Sequence, residues 1–262
     1  RFQGLEVPLK IGEVPVPVME IVDTADIGMT GLPELLDDPD LGVGEEVHAT
    51  RCRRDPGEGG DVINAEGGHA VANVADVACI DEVQAAVACA VDTFGDLHFA
   101  VNNAGIGGDQ SPAGELDPAA WRRVIDVNLN GVFYGLRHQI PAILRSGGGA
   151  IVNVSSILGV VGDAANPAYV AAKHAVTGLT RSAALAYAPK GIRINSIHPG
   201  YVRTPILDFL DESALQKAVD LHPIGRLGTS DEIAHAVTFL LSEGSSFLVG
   251  TQLIADGGYT AR

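Results

Sequence analysis

Short apolar runs alternate with helix-period segments along most of this chain, and that alternation restricts the fold more than any other feature. LHFAVNNAG, AIVNVS, RINSIHPG and TQLIADGG are rich in apolar residues and close on Asn, Ser, Pro or Gly, as strands buried on both faces do. Val18 to Val22, EVHATRC from Glu46 and HAVANVAD read as three earlier strands. Between them, CIDEVQAAVACAVDTFG sets Val83, Ala86, Val87 and Val91 at helical spacing and ends at Gly95. Asp117 and Pro118 open a long helix through Trp121, Val124, Val127, Val132 and Leu136, which stops at the glycines 147–149. Asn166 and Pro167 read as the N-cap and first position of another helix, and Thr229 with Glu232 as a capping box before IAHAVTFLL. Strands alternating with helices imply a parallel sheet, because parallel neighbours need a crossover connection. The expectation is one doubly wound α/β domain over residues 1–262, with helices on both faces.

The stretch from Ser155 to His174, SSILGVVGDAANPAYVAAKH, carries the chemistry. In a helix beginning at Pro167, Tyr169 and Lys173 lie one turn apart on one face. A free tyrosine titrates near ~10, so it needs help to act as an acid or base at neutral pH. A nearby ammonium favours the phenolate, which predicts that Lys173 lowers the Tyr169 pKa. Ser156 directly follows the run AIVNVS, at the carboxyl end of a strand, where open α/β sheets place their ligands. Its hydroxyl can hold a substrate oxygen beside the phenol.

The spacing of Ser156, Tyr169 and Lys173, flanked in order by Asp76-Val77, the NNAG of Asn102 to Gly105, Asn128 in VNLNG, and Pro199-Gly200 with Thr204, resembles the classical short-chain dehydrogenases and reductases. The resemblance covers residues 45 to 262. It implies a Rossmann-like sheet, a nicotinamide cofactor, and interconversion of a ketone and a secondary alcohol. Tyr169 is then the proton donor and acceptor, and Ser156 orients the substrate oxygen. Lys173 lowers the tyrosine pKa and binds ribose hydroxyls, while Asn128 anchors a water that links Lys173 to solvent. By the same resemblance, Asp76 and Val77 meet the adenine ring, and Asn103, Ala104 and Gly105 the adenosine ribose. Pro199, Gly200, Val202 and Thr204 hold the carboxamide and phosphate. Taken singly, Asn128 reads equally as a local hydrogen bond at a kink, Asp76 as a strand cap and Pro199-Gly200 as a plain turn. The family also implies a homo-oligomer, a tetramer; the apolar C-terminal strand and the small residues Ala171, Ala172 and Ala175 suit close packing. Pro205 to Gly225 reads as a substrate lid or as an ordinary surface helix, with His222 on its surface.

Residues 1–44 depart from the family pattern. Pro8, Pro15, Pro17, Pro33 and Pro39 break periodicity, and where the family has TGxxxGxG the best candidate loop, Thr24 to Gly31, offers only Gly28 and Gly31. Asp23 and Asp26 would point negative charge at a pyrophosphate. Two classes of function are then open: an oxidoreductase, or a non-catalytic structural or binding member that has lost its first cofactor loop. A segment read outside its natural frame would also explain the departure.

A net charge of −16 opposes contact with nucleic acid or anionic lipid, both of which need basic surface. No apolar run of about eighteen residues is present, so no membrane span is expected. Cys52, Cys79 and Cys89 match no metal or redox spacing and read as reduced thiols, which with the lack of a secretory pattern suggests a cytoplasmic setting.

The choice of nicotinamide rests on the residues just past the second strand. Folds of this type end it with an acid to bind ribose hydroxyls, or with arginine to accommodate a 2′-phosphate. Here Cys52 runs into Arg53, Arg54 and Asp55, so NADP is favoured, with NAD open if Asp55 takes the acid's place. Replacing Arg53 and Arg54 by alanine is expected to weaken NADPH binding at least about tenfold, roughly 1.4 kcal/mol, and to leave NADH nearly unchanged. Titration by nicotinamide fluorescence reads both, and equal losses would refute the preference.

Overall fold

The computed structural model describes residues 69–204, 207 and 210–261, together with the backbone of two earlier strands at 17–21 and 48–52. Arg53, Arg54, the candidate loop Thr24 to Gly31 and part of the candidate lid, Pro205 included, lie outside the described residues.

Seven strands form one sheet in the order β3-β2-β1-β4-β5-β6-β7, and every pairing is parallel. They are β1 (Pro17–Ile21), β2 (His48–Cys52), β3 (His69–Asn73), β4 (Phe99–Asn102), β5 (Gly149–Val154), β6 (Ile192–Pro199) and β7 (Gln252–Ala255). All seven expected strands are present, with slightly different ends. Strand β1 pairs with both β2 and β4, so the winding reverses there and leaves a crevice at their carboxyl ends. Ile21 is in register with Cys52 and Asn102, which puts the end of β2 and the start of NNAG at that same edge.

The described helices are α1 (Ile80–Phe94), α2 (Pro118–Ile125), α3 (Gly131–Arg145), α4 (Pro167–Tyr187), α5 (Glu212–Asp220) and α6 (Ser230–Leu241). Successive strand residues point to opposite faces, and the sequence fills both. Ala100, Ile151, Ile192 and Ile194 pack with α1, α3 and α4, through Val83, Ala86, Val87, Ile140, Ile143 and Val176. Their neighbours Val101, Ala150, Val152, Val154 and Ile197 pack against Ile233, Ala234, Val237, Leu240 and Leu241 of α6. The capping box forms as expected, with Thr229 and Glu232 satisfying each other's backbone N–H groups. At α4 the start is where Asn166-Pro167 predicts it, but the Asn166 side chain makes no cap bond.

The expected single helix from Asp117 to the glycines is broken in its middle. Asp126–Asn130 winds as a π-helix between α2 and α3. Such a bulge turns a side chain out of the regular ladder, and Asn128 is the residue it buries completely.

Polar side chains penetrate the core on the α3/α4 side. Asn102 donates to Gln139 at 3.1 Å and to Asn153 at 2.8 Å, Gln139 donates back to Asn102 at 2.9 Å, and Asn153 donates to Thr180 at 2.9 Å. Gly135 is required beside this network, because a Cβ there would collide with the Asn102 side-chain oxygen.

Candidate active site

Strand β5 and helix α4 bring the chemistry together. Lys173 is only 2% exposed, and its Nζ donates to the carbonyl of Val154, the last residue of β5, at 2.9 Å. One turn earlier Tyr169 sits half-buried, its ring centroid 5.4 Å from that ammonium. Ser156 lies just past the end of β5, and its hydroxyl accepts from the Leu158 N–H at 3.1 Å. Ser155, one residue before, points the other way: it is buried and donates to the Lys173 carbonyl at 3.0 Å. Both serines border the cleft beside Tyr169, but the Ser156 hydroxyl bonds the phenol while the Ser155 hydroxyl ties the strand end to the helix. Ser156 and Tyr169 share a cavity of about 150 Å³ with Leu158, Tyr201, Val202 and Leu207 among its walls.

Asn128 joins this group from the π segment. Its side chain accepts from the Ile106 N–H at 2.8 Å and donates to the Ile106 carbonyl at 2.8 Å, clamping the loop after NNAG. That bond explains an asparagine in a long helix, but its partner is a distant loop and not the local backbone. Gly105 lies between Asn128 and Lys173: a Cβ there would come within 3.4 Å of Asn128 Oδ1 and 3.5 Å of Lys173 Nζ. Asn128, Gly105, Lys173 and Tyr169 are thus neighbours in space.

The electrostatics correct one expectation. Burial pushes the Tyr169 phenol up to about 12, against the opposing hydrogen bond from Ser156 and with the help of the nearby Tyr201. Burial also pushes Lys173 down to about 8. The predicted lowering of Tyr169 by Lys173 does not appear in the protein alone: loss of water around the phenol is the largest influence on it and favours the neutral form. Tyr169 therefore carries its proton at neutral pH.

Residues assigned to a dinucleotide fit that purpose to different degrees. Both side-chain polar atoms of Asn103 are buried without a partner, although the residue is only 3% exposed. An ammonium has three donors, and the hydrogen bond found for Lys173 among the described residues uses one. These unused groups flank the crevice at the β1/β4 reversal, so hydroxyl-rich ribose would satisfy them. Ala104 is buried, and Val77 is buried against Gly131. Asp76 is exposed and folds its own turn: Asp76 Oδ1 accepts from the Ala78 N–H at 2.9 Å. Pro199 ends β6, Gly200 donates its N–H to the Ala255 carbonyl at 3.0 Å, and Val202 bridges to Gly228. Thr204 is buried, its hydroxyl 3.4 Å from the Val202 carbonyl.

One histidine escaped the sequence reading and a second was placed wrongly by it. His198 is fully buried in β6; Nδ1 lies 2.9 Å from the Ser156 carbonyl and Nε2 2.9 Å from Ser196 Oγ, so the ring fixes the backbone of the serine. Burial, the largest influence, lowers its pKa. His222, expected on the surface, is only 3% exposed. His198 is one of four polar residues in β6, with Arg193, Asn195 and Ser196, so nothing in the run marks it out. Ala172 is also buried, packed against Val124 and Ala168, and so does not present the small-residue surface expected of it.

Among the described residues no helix is long and apolar enough to cross a membrane, and no cluster of His, Cys, Asp and Glu could hold a metal ion.

Comparison with known proteins gives a consistent picture. A family model described as enoyl-(acyl carrier protein) reductase matches residues 43–260. A cyclohexanol dehydrogenase of Acinetobacter sp. (strain SE19) is 55% identical over 202 residues, 77% of this chain and 79% of that protein. A cis-4-hydroxycyclohexanecarboxylate dehydrogenase of Sinomonas cyclohexanicum is 48% identical over 186 residues, 71% of this chain and 75% of that one. Among solved structures, levodione reductase superposes with a TM-score of 0.83 at 31% identity, covering 95% of this chain and 99% of its own.

The buried ammonium gives the free protein a pH signature. Lys173 has a folded pKa near 8 and an unfolded value near 10.5, so between those values the unfolded chain binds the extra proton. Stability contributed at this site therefore rises with pH across that window. The Tyr169 shift acts in the opposite sense only above about 10, where the unfolded phenol ionises first. Lys173→Met is expected to lose the rise between pH 8 and 10, read as urea midpoints. An unchanged pH profile in that variant would contradict the burial of a charged Lys173.

Proposed function

The chain belongs to the short-chain dehydrogenase/reductase family and is an oxidoreductase; from that premise we propose that it interconverts a cyclic secondary alcohol and its ketone, with Tyr169 as acid and base. The observation that carries this reading is the convergence of Tyr169, Ser156, Lys173 and Asn128 at the carboxyl end of β5, beside a small, largely apolar cleft. The relatives named for cyclohexanol and hydroxycyclohexanecarboxylate support a six-membered ring as substrate.

In the reducing direction a ketone oxygen lies between the Ser156 hydroxyl and the Tyr169 phenol. Ser156 orients it, and Tyr169 gives it a proton as negative charge develops there. The bound nicotinamide supplies the hydride, the one piece of chemistry the chain lacks. In the oxidising direction the phenolate takes the alcohol proton, and Lys173 stabilises that phenolate by its charge. Asn128, fixed by its two bonds to Ile106, anchors a water that links Lys173 to solvent. Lys173 and Asn103 hold ribose hydroxyls, Ala104 and Gly105 let the backbone approach the adenosine ribose, and Asp76 with Val77 meets the adenine. Pro199, Gly200, Val202 and Thr204 receive the carboxamide and phosphate. Arg53 and Arg54 make NADP the preferred cofactor on their position in the sequence, and residues 205–225 cover the substrate.

Self-association accompanies this function. Phe247 is 98% exposed and Leu185 77%, with Val249 and Ile254 also exposed, and apolar surface of this kind is what a homotetramer would cover. A monomer in light scattering at micromolar concentration would refute it.

Tyr169→Phe removes one hydroxyl and almost no volume. Turnover of cyclohexanol with NADP is expected to fall by ~10²–10⁴-fold while the melting temperature stays within a few degrees. Retention of more than about a tenth of the unmodified rate would refute the assignment.

A further inference from the structure

Tyr201 stands in the wall between two cavities. One is the cleft holding Ser156 and Tyr169; the other, of about 350 Å³, is lined by His222, Ile224, Asp256 and Gly257 among others. The contacts that fix Tyr201 in that wall come from the second side.

His222 lies just past α5, and its Nδ1 is 2.7 Å from the Ala218 carbonyl. Only an N–H can bond a carbonyl, so Nδ1 carries the proton and Nε2 is left as an acceptor. That nitrogen accepts the backbone N–H of Tyr201 at 3.2 Å. The approach requires glycine next door, since a Cβ at Gly200 would come within 2.7 Å of Nε2. Three rings then close the wall. Tyr201 meets His222 edge-on, with centroids 5.8 Å apart and planes at 82°, and Tyr259 lies 5.4 Å from His222 and 6.2 Å from Tyr201. The turn carrying Tyr259 is itself held by the Asp256 carboxylate, which accepts from the N–H groups of Gly258 and Thr260 and from the Thr260 hydroxyl. Three segments distant in sequence, after β6, after α5 and after β7, are thereby locked together around one imidazole.

We propose that Tyr201 is a specificity-determining wall of the substrate cleft and that His222 is the positioning residue that holds it there. The specificity part rests on the alcohol–ketone reading above. With His222 in place, the wall sits close to Ser156 and Tyr169 and admits a small ring. Without the Nε2 acceptor, the Tyr201 amide loses its partner and the wall relaxes toward the larger cavity behind it.

The test uses two alcohols, cyclohexanol and 4-tert-butylcyclohexanol, and tracks the ratio of their kcat/KM values, large over small. Tyr201→Ala is expected to raise the ratio about tenfold or more, the usual worth of a changed apolar contact of this size. His222→Phe keeps a ring but no acceptor and is expected to raise the ratio about threefold or more. In the Tyr201→Ala background the same change should have no further effect, because a residue acting through another adds nothing once that other is gone. His222→Gln, which keeps an acceptor oxygen, should move the ratio less than His222→Phe. An unchanged ratio in Tyr201→Ala, or an equal shift from His222→Phe in both backgrounds, would overturn the proposal. Hydrogen exchange at the Tyr201 amide reads the contact without turnover: protection in the unmodified protein and its loss in His222→Phe are expected, and equal protection overturns the positioning role. If the unmodified protein oxidises neither alcohol, the functional reading fails and the specificity role with it, whereas the exchange result still decides the contact.

Discussion

The hydrogen bond from the Lys173 ammonium to the Val154 carbonyl is the contact on which the geometry of the site depends. Burying a lysine to 2% exposure is costly unless the charge is partnered, and here the partner is the last carbonyl of a central strand. The bond pins α4 across the carboxyl end of β5. A second tie makes the placement unambiguous, because the Ser155 hydroxyl donates to the carbonyl of the same lysine. Gly159 completes the seam, since any Cβ there would collide with Ser155 Oγ and press on the Lys173 carbonyl. Once α4 is fixed in this way, one helical turn carries Tyr169 to Ser156 without any further adjustment. Burial in this arrangement favours the neutral form of both the phenol and the amine.

Adjacent asparagines at the end of β4 show how one short motif divides its work. Asn102 is saturated by Gln139 and Asn153, and the network continues through Thr180 into α4. A satisfied buried network of this sort rigidifies the contact between the sheet and two helices. Asn103, equally buried, has no partner for either polar atom. Leaving such a group unpaired costs about 1–3 kcal/mol, a penalty that a protein retains where a bound molecule relieves it. The first asparagine builds the edge of the crevice, and the second keeps its polar atoms unused beside it.

Much of this was legible in the sequence because it is written in local periodicity. Parallel strands buried on both faces, helix starts at Asp117, Pro167 and Thr229, and the helical repeat of Tyr169 with Lys173 depend on neighbours within a few positions. The spacing of Ser156 from Tyr169 also survived, since both are set by the one seam between β5 and α4. The features that could not be read depend on contacts between distant segments. The π segment is invisible in an apolar pattern that continues through it, because inserting one residue into a turn changes which side chain is buried and not how many. The pKa of Tyr169 has the same character. Its lysine is four residues away and obvious, whereas the desolvation that prevails is supplied by the whole surrounding fold.

His198 and His222 show why the most informative residues were the least readable. Each is a buried imidazole that bridges two backbones or a backbone and a hydroxyl through its two ring nitrogens. No other side chain offers a donor and an acceptor at opposite edges of a rigid ring, so histidine can lock two chain segments at a fixed separation where an amide would still rotate. His198 locks Ser156 to β6, and His222 locks the segment after β6 to α5. Both sides of the cleft are therefore held by imidazoles that touch neither reacting atom. The substrate oxygen would be placed by Ser156 and the substrate body by Tyr201, which makes the accuracy of the site a property of the two histidines behind them.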